Sequence, residues 1–299
     1  MSIRQMTAET PPFNPYIALA FGIISISTGA IFARLSGEAD ALVISAYRVG
    51  LASIVLFPIA WFKIRDELRC LSMADLRLAA LSGFFLAMHF ATWISSLRYT
   101  SVANSVVLVN TNPLWVGILT QFITKEKMSM TTKIGILISV IGGVIVGIGD
   151  ISFGSNALLG DGLAIIGSVC AAIYLLLGRT IRQKLSLLAY ITLCYGSAAV
   201  ILWSIVLFLK LPIAGFSTKT FSALWAMALI PQLIGHTSYN WSLKWFSANM
   251  IAISLLGEPI GSTILAYVLF DESLTWAKVI GGGLILSAIR IASAGERVK

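Results

Sequence analysis

Two charged residues lie within long apolar stretches of the sequence, where an ionised side chain is unusual. Glu258 directly precedes Pro259 near the middle of one stretch, and Arg48 lies inside another. A charge at the centre of a bilayer costs about 2.5 to 3.5 kcal/mol on insertion scales, so such a side chain should face protein or water. Glu258 could bind a cationic group, carry a coupling proton or cap backbone amides beside the proline. Arg48 could bind a carboxylate or extend toward the outer membrane surface.

The two histidines of the chain lie on polar, aromatic faces of predicted helices. Residues three or four positions apart share a helix face, which places His89 beside Trp93 and His236 beside Tyr239. Such faces could line a cavity, or they could join helices through hydrogen bonds. Amide and aromatic walls suit a zwitterion that carries an apolar side chain. The predicted substrate-binding residues are His89, Trp93, Asn110, Asn112, Trp115, Tyr174, Gln232, His236, Tyr239, Asn240, Ser254 and Glu258.

Two prolines, Pro113 and Pro259, each lie about midway along a predicted membrane span. A proline inside a helix removes one hydrogen bond and clashes with the carbonyl group four residues earlier, which kinks the helix. We therefore predict a kink at each proline. The two kinks could be hinges of a conformational change, or they could be rigid features of the packing.

Membrane-spanning helices are the elements that must position these residues. The chain is 58% hydrophobic and 11% charged, whereas a soluble domain has about 25% charged residues. An apolar stretch of about 20 residues crosses the hydrocarbon as a helix, because every backbone amide must be hydrogen-bonded within the segment. We predict an all-α membrane protein of ten transmembrane helices in one domain, 1–299. The predicted spans are 16–35, 41–62, 76–97, 101–123, 133–150, 160–180, 187–209, 221–243, 247–270 and 276–294.

The positive residues report the orientation of the chain in the membrane. A net charge of +8 could suggest a nucleic-acid partner, but the cations lie in short loops rather than along one stripe. Fifteen of them fall on the face that holds the N-terminus and five on the opposite face. The excess of positive charge on the cytoplasmic side of membrane proteins then places both termini in the cytoplasm. We expect a multi-pass protein of the inner membrane, surrounded by lipid and without a nucleic-acid partner.

An internal repeat relates the two halves of the chain at an offset of 146 residues. Pro113 falls on Pro259 and Glu126 falls on Glu272 without any insertion. Each unit has five spans, and an odd number of crossings means that the second unit enters the membrane from the opposite side. Inverted repeats of this kind give many secondary transporters two exchangeable states around a midplane site. The predicted repeats are 16–150 and 160–294.

Each repeat also carries a proline in its fourth span, a glutamate just after that span and a glycine-rich fifth span. The residues concerned are 112–115, Glu126 and 142–143 in the first repeat, and 258–260, Glu272 and 281–283 in the second. This doubled pattern resembles the EamA signature of the drug/metabolite transporter superfamily. The resemblance implies ten helices, alternating access and transport without ATP. Within the superfamily the chain resembles the amino-acid exporters.

Other functional classes lack their motifs in this sequence. It contains no GxxxxGK[ST] loop, no HExxH, no GxSxG and no paired cysteine or histidine set for a metal. We therefore expect no catalytic residues, no metal and no cofactor. The expected function is export of a small-molecule substrate, with neutral and aromatic amino acids favoured, and coupling to protons stays open. The alternatives are another cargo, such as nucleosides, drugs or sugar conjugates, or an intramembrane enzyme that would use Glu258 with a histidine.

Overall fold

The computed structural model describes residues 10–100, 105, 108–148, 157–270 and 274–295, which form helices and, within these ranges, no strand. One element is a π-helical segment, in which the turns are wider than in an α-helix. The elements are α1 (Pro15–Ser27), α2 (Gly29–Leu35), α3 (Ala41–Arg69), α4 (Met73–Ser96), α5 (Asn112–Ile123), α6 (Met130–Ile148), α7 (Ala157–Arg182), α8 (Leu187–Phe208), α9 (Thr218–Met227), the π-helical segment (Ala228–His236), α10 (Thr237–Ser242), α11 (Ala248–Leu255), α12 (Gly257–Phe270) and α13 (Trp276–Ala294).

Seven helical stretches of the described residues are long and apolar enough to cross a membrane. They are Pro15–Leu35, Ala41–Arg69, Met73–Ser96, Leu158–Arg182, Leu187–Phe208, Ala248–Leu269 and Trp276–Ala294. A shorter apolar stretch, Met130–Ile145, corresponds to the predicted fifth span. The predicted fourth span begins among residues that lie outside the described ranges, and the π-helical segment divides the eighth. The prediction of an all-helical, multi-pass membrane protein is confirmed.

Side-chain caps fix where several helices begin. The Asp40 carboxylate accepts a hydrogen bond from the Leu42 amide at 2.9 Å, and α3 starts at the next residue. Ser186 caps α8 in the same way, with 3.1 Å between its hydroxyl oxygen and the Ala189 amide nitrogen. These side chains satisfy amides that have no partner within the helix. The apolar run that follows each cap then continues as a membrane span.

The packing of helices between the two halves follows a two-fold pattern. The offset of 146 residues makes α8 the equivalent of α3 and α13 the equivalent of α6, and each equivalent pair packs together. Helix α4 packs against α7, and the equivalent contact joins α1 to the π-helical segment and α10. Every one of these contacts thus has its mate across the halves. This is the packing that two inverted five-helix repeats produce.

Carboxylates also join loops of the two halves. Glu67 at the end of α3 accepts a hydrogen bond from the Ser186 amide at 2.9 Å. Glu38, between α2 and α3, accepts hydrogen bonds from both the amide and the hydroxyl of Ser217, each at 2.8 Å. The amide of Ser217 and then its hydroxyl hold the pKa of the Glu38 carboxyl below its ordinary value of 4.5. The predicted topology places the first bridge on the cytoplasmic face and the second on the outer face.

The prolines take a different form from the predicted mid-helix kinks. Pro113 lies in the first turn of α5, which begins at Asn112 after a turn at Asn110 and Thr111. Pro259 lies in the first turn of α12, because the predicted span 247–270 is interrupted at Leu256. A proline in a first turn costs no hydrogen bond, since that amide has no partner within the helix. Each proline therefore stands just after an interruption of its span, in the first turn of the helix that follows. Whether these interruptions are hinges stays a prediction.

Two further interruptions were not predicted. Thr28 separates α1 from α2, so the predicted span 16–35 consists of two helices. The predicted span 221–243 contains the nine-residue π-helical segment, which includes Pro231. Proline has no amide hydrogen to donate, and a wider turn accommodates the missing bond. Segments of π-helix occur often at functional sites.

Candidate functional site

Arg48 lies at the centre of a buried polar cluster rather than at the membrane surface. Only 3% of this residue is exposed, and its Nε donates a hydrogen bond to Gln232 Oε1 at 2.8 Å. The guanidinium carbon lies 4.1 Å from the centre of the Phe90 ring, which gives a cation–π contact. Of the two interpretations of Arg48, extension toward the outer surface is therefore wrong. We call Arg48, Phe90, Tyr174, Gln232, His236, Tyr239 and Asn240 the Arg48 cluster.

Aromatic rings form one wall of the Arg48 cluster around His236. The centre of the His236 ring lies 5.3 Å from that of Phe90, 4.7 Å from that of Tyr239 and 6.3 Å from that of Tyr174. The Tyr239 hydroxyl is also hydrogen-bonded to His236 Nδ1. These rings come from α4, α7, the π-helical segment and α10, and the α4 ring is that of Phe90 rather than of His89 or Trp93. The convergence of the two histidine faces on one cavity stays a prediction.

His89 lies beside this wall and joins two helices. Its Nδ1 lies 2.9 Å from the Gly167 carbonyl oxygen in α7. A carbonyl oxygen only accepts, so Nδ1 carries the proton. The His89 ring also stacks with Trp93 at 5.9 Å between centres. Through Nδ1, His89 therefore joins α4 to α7, which fits the interpretation that the polar faces connect helices by hydrogen bonds.

Asn240 ties the cluster to two tyrosines. Its Nδ2 donates to the hydroxyl of Tyr174 at 2.6 Å and to that of Tyr195 at 3.1 Å. Tyr195 belongs to α8 and is fully buried, with a further hydrogen bond between its hydroxyl and Thr237 Oγ1 at 3.4 Å. Tyrosine hydroxyls seldom remain unpaired when buried. The amide of Asn240 therefore fixes where both rings stand.

Several buried polar atoms have no hydrogen-bond partner among the described residues. A buried donor or acceptor without a partner costs about 1 to 3 kcal/mol, so such atoms usually meet water or a ligand. Those that belong to predicted substrate-binding residues are Trp93 Nε1, Asn112 Oδ1, Gln232 Nε2, Asn240 Oδ1 and Ser254 Oγ. Gln232 and Asn240 belong to the Arg48 cluster, which therefore holds a buried donor and a buried acceptor that water or a ligand could complete.

Glu258 lies in the first turn of α12, a helix that packs against α1 and α2. Within the described residues it forms no ion pair shorter than 4.0 Å and accepts no hydrogen bond. The interpretation of Glu258 as a cap for amides beside the proline is therefore not supported. Binding of a cationic group and transport of a proton stay open.

The structure does not bring every predicted residue into the cluster. Trp115 Nε1 donates to Thr111 Oγ1 at 3.1 Å, and Thr111 is 3.2 Å from Ser168 Oγ on α7. No hydrogen bond or ring contact of the described residues joins Asn112, Trp115 or Ser254 to the Arg48 cluster. Asn110 is half-buried in the turn before α5. Their role in binding stays a prediction.

A second set of charged residues closes the end of the helices that is predicted to be cytoplasmic. The nitrogens Nε and NH2 of Arg179 donate to Glu126 Oε1 at 3.0 and 2.9 Å, which joins α7 to the loop after α5. NH1 of Arg179 donates to the carbonyl groups of Leu243 at 2.7 Å and Lys244 at 3.1 Å. Only 3% of Arg179 is exposed. A cavity of about 290 Å³ beside this ion pair is lined in part by Asn249.

Comparison with known proteins fits this arrangement. The model of the EamA-like transporter family matches residues 14–148 and matches again at residues 158–294. The chain belongs to the EamA-like transporter family. This confirms the family predicted from the doubled signature, and it places the chain among transporters rather than enzymes.

Two similar relatives of this EamA-family chain span nearly its whole length. It is 27% identical to the uncharacterized transporter YyaM of Bacillus subtilis, covering 95% of both chains. It is 25% identical to an uncharacterized transporter of Archaeoglobus fulgidus, covering 92% of this chain and 94% of the relative. A crystal structure at 17% identity superposes with a TM-score of 0.76 over 94% of this chain and 97% of that one. That likeness shows the fold alone.

Three residues in or beside the Arg48 cluster were not among the predicted substrate-binding residues: Arg48, Phe90 and Tyr195. For Arg48 the sequence left binding of a carboxylate and extension toward the outer surface equally open, and its equivalent in the second repeat is Cys194. Phe90 and Tyr195 resemble ordinary apolar core residues in the sequence. A signal for Phe90 was available, since it directly follows His89 and precedes Trp93 by three positions.

Proposed function

We propose that this EamA-family protein is a secondary transporter that exports amino acids, neutral and aromatic ones in particular, by alternating access around the Arg48 cluster. The observation that carries the proposal is the set of buried polar atoms without partners among the described residues, Gln232 Nε2 and Asn240 Oδ1 above all, beside the aromatic rings around His236. Polar atoms of both kinds, donors and acceptors, suit a ligand with a charge of each sign, and the rings suit an apolar side chain. The resemblance of the sequence to amino-acid exporters supports the same cargo.

The proposed cycle needs a closed and an open state at each end of the helices. The ion pair between Arg179 and Glu126 supports a closed predicted cytoplasmic end, because it ties the first repeat to the second. The helix starts at Pro113 and Pro259 are the proposed hinges, since interrupted helices can change direction without breaking interior hydrogen bonds. We also propose that the protein lies in the inner membrane, with both termini in the cytoplasm.

Counterflow in proteoliposomes tests the cargo. Vesicles loaded with an unlabelled compound should accumulate the labelled compound if the protein exchanges it. We expect counterflow of phenylalanine and leucine, and none of nucleosides, sugar conjugates or quaternary-ammonium drugs. Tyr239→Ala should lower the rate on the order of tenfold, since a misplaced substrate loses most of its rate. Tyr267→Ala is the matched control, because Tyr267 is 54% exposed on α12. Counterflow of nucleosides without counterflow of amino acids would contradict the proposed cargo.

A further inference from the structure

Arg48 and Glu258 are opposite charges that face the same region without bonding to each other. Arg48 is 3% exposed and Glu258 is half-buried. Ser262, one turn after Glu258 on α12, donates a hydrogen bond to the Ser27 carbonyl oxygen at 2.9 Å. Gly29, two residues after Ser27, lies beside Arg48. Their side chains nevertheless form no ion pair within 4.0 Å in the described part of the chain. A buried charge without a bonded partner is costly. The fold thus keeps two such charges apart in a place where a third group could join them.

The Arg48 end of this region offers donors only. A guanidinium has five N–H donors, and the described residues supply an acceptor to one nitrogen alone, through Gln232 Oε1 at 2.8 Å. The other amide atom, Gln232 Nε2, is a second buried donor without a partner among the described residues. Gly29 leaves room here, since a Cβ on it would stand 3.8 Å from Arg48 NH1. Donors that converge in this way match a carboxylate, which accepts two hydrogen bonds from one guanidinium.

The Glu258 end offers acceptors only. Its carboxylate accepts no hydrogen bond from the described residues, and α12 packs against α1 and α2, the helices that border Arg48. An ionised carboxylate matches an ammonium group. The rings of Phe90, His236 and Tyr239 extend from the Arg48 guanidinium, with 5.3 and 4.7 Å between the neighbouring centres. These rings would cover an apolar side chain and exclude water from the charges.

We propose that Arg48 together with Gln232 binds the carboxylate of the substrate and that Glu258 binds its ammonium group. The protein then selects zwitterionic amino acids by reading both charges at once. This inference rests on the proposed function and adds the residues that determine specificity. A compound that lacks the carboxylate leaves Arg48 unpaired, and one that lacks the ammonium leaves Glu258 unpaired. Each loss is a penalty against the analogue rather than a mere absence of attraction.

Equilibrium binding to the purified full chain in lipid nanodiscs tests the two ends separately. The probes are phenylalanine, its methyl ester and 3-phenylpropionate, which keep the ring and remove one charge each. The wild type should bind phenylalanine at least about tenfold more tightly than either analogue. Arg48→Gln should abolish the preference over the ester and keep the preference over phenylpropionate. Glu258→Gln should do the reverse. Arg290→Gln and Asp66→Asn, at exposed positions, should keep both preferences.

The crossed pattern of lost preferences supports the proposal, and two other results overturn it. Preferences that stay as in the wild type in both variants would show that other residues read the charges, while amino-acid transport itself would stand. Equal weakening of all three probes in both variants would assign Arg48 and Glu258 a structural role. If Arg48→Gln does not fold, Gln232→Leu decides instead, because it removes one carboxylate donor and should reduce the preference over the ester alone. Wild-type protein that binds none of the amino acids but exchanges another metabolite overturns the proposed function as well.

Discussion

The two halves of the molecule share helix bounds but differ at the membrane centre. Helices α6 and α13 begin and end 146 residues apart, and α3 and α8 begin at the same offset. The third span of the first half is the continuous helix α4, whereas its equivalent in the second half is divided into α9, the π-helical segment and α10. The duplicated scaffold is therefore kept where helices pack, and it departs from symmetry where the polar cluster lies.

The same contrast holds for single residues. Arg48 in α3 has Cys194 as its equivalent in α8. Cys194 is fully buried, and its Sγ donates to Ser82 Oγ at 3.8 Å in the interface between α8 and α4. Arg48 thus belongs to a polar cluster, whereas Cys194 packs in the interface between two helices. The sequence repeat specifies where these two side chains stand but not what surrounds them.

The largest effect, a loss of folded protein, should come from placing an arginine at position 194, the equivalent of Arg48 in the second half. Cys194→Arg puts a long cation where the described neighbours offer the hydroxyls of Ser82 and Tyr190 but no carboxylate. An uncompensated buried charge costs about 3 to 5 kcal/mol. We expect loss of folded protein, measured as the monodisperse fraction in size-exclusion chromatography. Cys194→Ser should stay folded, because it keeps the size and the contact with Ser82. A folded Cys194→Arg protein would contradict the asymmetry between the halves.

The second-largest effect should be a difference in stability between the ion pairs at the two ends of the helices. Glu126→Ala leaves the buried Arg179 without its carboxylate, and we expect a loss of about 3 kcal/mol of stability, the lower end of the range for a broken buried pair, because the Glu126 side chain is 25% exposed. The pair between Arg98 and Asp40 at the other end is 2.6 Å long, but the Arg98 side chain is 50% exposed. Exposed pairs contribute about 0 to 1 kcal/mol, so Arg98→Ala should matter little. Thermal unfolding in detergent measures both, and equal shifts would remove the distinction.

The π-helical segment should affect transport more than stability. Pro231→Ala restores an amide donor, which allows an ordinary α-helical turn and would rotate Gln232 and His236 relative to Arg48. We expect counterflow to fall on the order of tenfold, because a shift of about 1 Å at a site can cost more than that. The matched control is Pro58→Ala, since Pro58 lies exposed within α3. Normal transport by Pro231→Ala would show that the π-helical segment is not needed for transport.

Much of the fold could be predicted from the sequence, because apolar runs and side-chain caps are local signals. The convergence of the faces of His89 and His236 rests on the repeat, which places their helices as equivalents, and it stays a prediction. The wide turn at Pro231 could not, because a proline in an apolar run indicates a bend and says nothing of its type. The burial of Arg48 depends on Gln232, which is 184 residues away. No local pattern carries such a contact.

The smallest effect should come from the carboxylate bridges between the halves. Because Ser217 holds the pKa of Glu38 below its ordinary value of 4.5, the bridge favours the folded state above that pH. The contribution should be lost as the pH falls through the lowered pKa, since a protonated carboxyl accepts these hydrogen bonds less well. Glu38→Gln should therefore melt below the wild type at pH 6, and the two should converge toward pH 4.

A pH series of melting temperatures in detergent separates this bridge from the rest of the chain. Asp66→Asn is the control, because Asp66 is an exposed carboxylate whose only ion pairs among the described residues, with Arg65 and Arg69, are exposed as well. Its difference from the wild type should stay nearly constant over the series. A constant difference for Glu38→Gln would mean that the charge of Glu38 does not stabilise the fold. The hydrogen bonds between residue 38 and Ser217 would then stabilise the loop before α9 equally well with a neutral side chain.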